Sequence, residues 1–80
     1  MNFKLLKAKM ILNGVDSRTF AKAQKWSMST FYRKLSGKVL FTSDEIGRCI
    51  DILKLKPVDV TNIFFKNYLS YETNNFDITL

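Results

Sequence analysis

Eighty residues with a formal net charge of +6, one cysteine and no histidine describe one small basic domain, and they exclude a disulfide framework or a Cys/His zinc site within a single chain. With acids scattered at helix caps and surfaces, no nucleophile or acid/base constellation assembles, so neither an enzyme nor a cofactor or small-molecule ligand is expected. No run of about 18 apolar residues occurs and the early lysines lack a signal-peptide layout, so no membrane partner is expected and the location is read as cytoplasmic.

A first helix is predicted over residues 2–12, where Phe3, Leu6 and Met10, then Leu5, Ala8 and Leu12, make a broad apolar side that Asn13 and Gly14 terminate. Its lysines suggest a membrane-surface helix, but that apolar side is needed to cover the helices that follow. Asp16 caps a second helix running to about residue 24, with Phe20 and Ala21 inward. After a break of about three residues, Ser27 caps a third helix over about 28–36, with Phe31 and Leu35 four apart on one face and Gly37 placed to end it in a left-handed conformation. Lys38, Val39, Leu40 and Phe41 form an apolar connector against the core.

Thr42 and Glu45 make a capping box for a fourth helix over about 43–54. Its apolar side holds Cys49 beside Ile46, Ile50 and Leu53, which reads as a core thiol in preference to a reactive one. Pro57 opens a fifth helix over about 57–66, with Val60, Ile63 and Phe64 inward. In residues 67–80, Phe76, Ile78 and Leu80 alternate like a strand, which is stable only when paired. Pairing with the same tail of a second subunit is the preferred arrangement. The alternatives are a loosely ordered terminus or a segment folded back on its own domain. The expected fold class is all-α: a compact five-helix domain over residues 1–66, with a short C-terminal tail that forms a strand.

Residues 16–37 have the layout of a helix-turn-helix. Ala21 is small where the two helices cross. Opposite Phe31 and Leu35, the third helix presents Ser29, Arg33 and Ser36, with Thr30 and Tyr32 on the flanks, a polar and basic face of the kind that enters a DNA major groove. Arg33 is the expected base reader, because its planar fork meets O6 and N7 of a guanine together; the alternative is a phosphate contact or plain solvation. Ser29 and Tyr32 are weaker readers, and Met28 either touches a thymine methyl or packs inward. Trp26, at the apolar turn position, reads as a core plug. The seven phenylalanines raise a single-strand stacking hypothesis, but most fall on apolar helical phases.

Phe20-Ala21, Trp26-Ser27 and Ser29 through Lys38 together resemble the motif of the small phage and bacterial Cro/repressor-type (XRE-like) helix-turn-helix regulators, over roughly residues 5–65. Asp16-Ser17 stand where that family usually has Thr-Gln, and Gln24-Lys25 where it has Leu-Gly. A left-handed Lys25 would cost about 1 to 2 kcal/mol relative to glycine. The resemblance implies that Ser17, Arg18, Ser27, Thr30 and Lys38 hold DNA phosphates. Lys34 stands toward the flank of the buried face where that family usually has an apolar residue, and it snorkels either to a phosphate or merely to water. It also implies a transcriptional regulator in a bacterial host cell, most simply a repressor bound to double-stranded operator DNA as a homodimer, with a protein antagonist as a further partner. Two alternatives share the scaffold: an antitoxin-type or excision-control regulator, and a protein-interaction module.

Charge is unequally spread. Residues 1–40 hold nine Lys or Arg against Asp16 alone, whereas residues 41–80 hold four against six acids. The positive field thus lies on the half with the motif, where it would attract a polyanion and release its counterions. The plainer alternative is that exposed lysines maintain solubility.

Overall fold

Four polar side chains start the first four helices of the computed structural model, which describes residues 1–65. Asn2, Asp16, Ser27 and Thr42 each accept a hydrogen bond from the backbone N–H three residues on, and so open α1 (Phe3–Leu12), α2 (Ser17–Ala23), α3 (Met28–Leu35) and α4 (Ser43–Leu53). Each such cap is worth about 1 kcal/mol. At Thr42 the capping box is complete, because the Glu45 carboxylate also accepts from the Thr42 N–H at 2.8 Å. The fifth helix, α5 (Pro57–Val60), begins at a proline whose missing N–H costs nothing in a first turn. It runs on as a π-helical turn over Thr61–Phe65. The described residues are thus all-α.

Left-handed residues end four of the segments: Gly14, Lys25, Gly37 and Lys54 all have positive φ. Between these breaks Leu6, Met10, Phe20, Phe31, Leu35, Cys49, Leu53, Leu55 and Ile63 close into one buried cluster. An aromatic line crosses it, with Trp26 in edge contact with Phe20 on one side and Phe41 on the other, and Phe41 continuing to Phe64. Two polar ties fix α1 over this core. The Asn2 N–H donates to the Ile63 carbonyl at 2.7 Å, and the Asn13 amide donates to the Leu53 carbonyl at 3.0 Å.

The apolar side of α1 is narrower than the sequence suggests. Only Leu6 and Met10 are buried, because the helix docks along one i, i+4 row. Ala8 and Leu12 lie two residues past that row and face outward, Leu12 with 77% of its surface exposed. The connector after Gly37 also divides: Phe41 packs inward while Leu40 is 83% exposed. Pairing of the tail over residues 67–80 falls outside the described residues. No helix among the described residues is long and apolar enough to cross a membrane.

Candidate nucleic-acid interface

The turn between α2 and α3 follows from backbone hydrogen bonds that only a left-handed residue permits. The Trp26 N–H donates to the Ala21 carbonyl at 2.8 Å and the Lys25 N–H to the Lys22 carbonyl at 3.0 Å, with Lys25 at φ 62°. These are the paired bonds of a Schellman ending, and the lysine makes them without a glycine. The same pair recurs where α3 stops: Lys38 N–H donates to the Arg33 carbonyl at 3.1 Å and Gly37 N–H to the Lys34 carbonyl at 3.2 Å.

A polar network behind the turn fixes its orientation on α4. Gln24 is 2% exposed. Its amide donates to the Glu45 carbonyl at 2.9 Å and lies 3.3 Å from Cys49 Sγ, while its oxygen accepts from Arg48 Nε at 2.8 Å. The Glu45 carboxylate accepts from Lys34 Nζ at 2.6 Å, from the Thr42 N–H and from Trp26 Nε1 at 2.8 Å. Burial opposes the charge on Glu45, but these donors and the lysine's charge outweigh it and hold the carboxyl below its ordinary range. Burial also pushes the Cys49 thiol up to about 12, keeping it protonated and unreactive.

Lys34 therefore does not reach a phosphate. Only 7% exposed, its ammonium is held by Glu45, by the Leu40 carbonyl at 3.0 Å and over the Trp26 ring at 5.4 Å. The physical reason is register. Lys34 lies three residues after Phe31 and beside Leu35, on the buried side of α3, where an anionic partner from α4 compensates its charge. The partner lies eleven residues away, so no local pattern pointed to it. Gln24 was hidden in the same way, its partners all being on α4.

The other side of α3 is open. Ser29, Tyr32, Arg33 and Ser36 are exposed, Tyr32 at 61%. Met28 packs partly into the core, the inward one of the two placements its sequence position leaves open. Ser27 spends its hydroxyl on the cap, accepting from the Thr30 N–H and donating to Thr30 Oγ1, both at 3.1 Å. The Thr30 O–H keeps its own proton to donate. Arg18 and Lys38 are exposed, and Ser17 is half-buried at the start of α2. Ser17, Tyr32 and Ser36 share one groove with Lys4 and Lys7 of α1. The sequence places these two lysines on one side of a helix by their spacing of three, but it does not show that this side faces α3.

Among the described phenylalanines, Phe20 and Phe31 are buried, Phe3, Phe41 and Phe64 are half-buried against the core, and Phe65 alone is exposed. No group of three or more His, Cys, Asp or Glu side chains among the described residues is placed to hold a metal ion. No curated protein and no solved structure matches the chain. Residues 1–67 match the proteins of unknown function grouped as DUF739, and the chain, which puts a capped two-helix unit with an exposed basic face inside those residues, belongs to that family.

Proposed function

We propose that the chain is a sequence-specific double-stranded DNA-binding regulator of the Cro/repressor type, acting as a homodimer that occludes a promoter. One observation carries the reading. α3 turns Phe31, Lys34 and Leu35 inward and holds Ser29, Tyr32 and Arg33 outward, on a capped helix set against α2 by a short turn.

A single helix of this kind fits the major groove, where Arg33 reads a guanine edge and the hydroxyls of Ser29 and Tyr32 contact neighbouring bases. Arg18, Ser17, Thr30 and Lys38 set the register on phosphates. Ser27 supports them by holding Thr30, and Lys34 is withdrawn from the set. Two copies would place their α3 helices in successive major grooves about 34 Å apart, so the operator is palindromic.

The test is selection of bound sequences from randomised duplex DNA at physiological salt, with the full-length protein. Enrichment of an inverted repeat supports the reading and gives the half-site spacing. A folded protein that enriches nothing overturns it and moves the function to protein recognition on the same scaffold.

A further inference from the structure

The contacts assigned above all come from residues 17–38, yet the outer side of α3 does not stand alone. A groove of about 410 Å³ separates it from the first half of α1. Lys4 and Lys7 lie on one side, Ser17 and Tyr32 supply hydroxyls on the other beside Ser36, whose own hydroxyl donates to the Arg33 carbonyl at 3.0 Å, and Phe3, Phe31 and Leu35 add apolar surface. Among the described residues no acidic side chain lines the groove, and both lysines are exposed without an ion pair. Cations and hydroxyl donors beside apolar surface match a chain that alternates anionic and apolar units. A DNA strand is such a chain, with a phosphate and then the face of a deoxyribose. The groove is also continuous with the proposed reading face, since Tyr32 belongs to both.

We infer that α1 is part of the DNA interface, with Lys4 and Lys7 binding phosphates of the strand that flanks the major groove entered by α3. This rests on the DNA-binding reading and extends it to a helix outside the two-helix unit. The lysines add affinity and position the duplex without selecting its sequence.

The experiment measures binding of the full-length protein to its selected duplex and to a random duplex between about 50 and 200 mM salt, where each neutralised phosphate contributes about 0.9 to the slope of log affinity against log salt. The double variant Lys4→Ala/Lys7→Ala should lower the slope by about 1.8. It should also weaken both duplexes by the same factor and leave the order of sequence preference unchanged. Lys4→Arg/Lys7→Arg should keep the wild-type slope. Thermal unfolding of each variant establishes that these exposed positions leave the fold intact.

An unchanged slope in the alanine variant, with specific binding by the wild type, overturns the inference and leaves the DNA-binding reading standing. Absence of duplex binding by the wild type removes both. In that event, retention of polyglutamate by the wild type but not by the alanine variant would reassign the groove to an acidic protein partner.

Discussion

Lys34 Nζ lies 2.6 Å from Glu45 Oε1, and both side chains are nearly out of solvent, at 8% and 12% exposure. This ion pair joins α3 to α4 across the core, so the orientation of the outward face of α3 depends on a charge that the face does not display. Removing one partner of a buried pair leaves an uncompensated charge and costs about 3 to 5 kcal/mol, a large part of the total stability of a small domain. Lys34→Met is therefore expected to lower the urea unfolding free energy by about 3 kcal/mol. Lys34→Met combined with Glu45→Gln should recover part of that loss. A double variant no more stable than Lys34→Met alone would show that Glu45 matters through Thr42 and Trp26 and not through the lysine.

Acid should unfold the protein through the same carboxylate. The Glu45 carboxyl is held below its ordinary value of 4.5 in the folded chain, so below that value the unfolded chain binds more protons than the folded one. The stabilisation is complete above the unfolded value and is lost as pH falls through the lowered folded one. Asp16 and Asp59, lowered chiefly by backbone N–H donors from Thr19 and Lys56, act in the same direction. Melting temperature should fall as pH drops below about 4.5, and Glu45→Gln should flatten that dependence. A Glu45→Gln protein with the wild-type pH profile would contradict the assignment.

Lys25 carries strain that glycine would not. At φ 62° the lysine costs about 1 to 2 kcal/mol, while glycine would add about 0.4 to 1 kcal/mol of unfolded-chain entropy. Lys25→Gly is thus expected to stabilise the domain by up to about 1.6 kcal/mol, the difference between these two effects. A loss of stability on equilibrium denaturation would indicate that the lysine side chain compensates for its backbone.

Arg33 and Lys38 should separate base reading from phosphate binding. Arg33→Ala should relax preference at one operator position, at a cost of about 1 to 3 kcal/mol. Lys38→Ala should weaken all duplexes alike and reduce the salt slope by about one. An Arg33→Ala protein with the wild-type sequence preference would remove Arg33 from the reading role.

The helix starts were legible because a cap is a local event. Asp16, Ser27 and the Thr42–Glu45 box each act over three residues, and their spacing is visible in the chain. Pro57 and the left-handed Gly37 were legible for the same reason. What stayed hidden was the inward turn of polar side chains whose partners are distant. Gln24 reaches Glu45, Cys49 and Arg48, and Lys34 reaches Glu45, and periodicity cannot distinguish a lysine with such a partner from one in water. The outward face of α1 was misjudged because a helix carrying apolar residues on several sides does not specify which row will dock.

The chain has one tryptophan, and it sits at the joint between α2 and α3. The Trp26 indole donates to Glu45, stands edge-on to Phe20 and Phe41, and lies beneath the Lys34 ammonium. Its fluorescence is consequently a natural reporter. A single emission band tracks the carboxylate, the lysine and the aromatic neighbours at once, so the integrity of the joint can be followed in real time without attaching a dye.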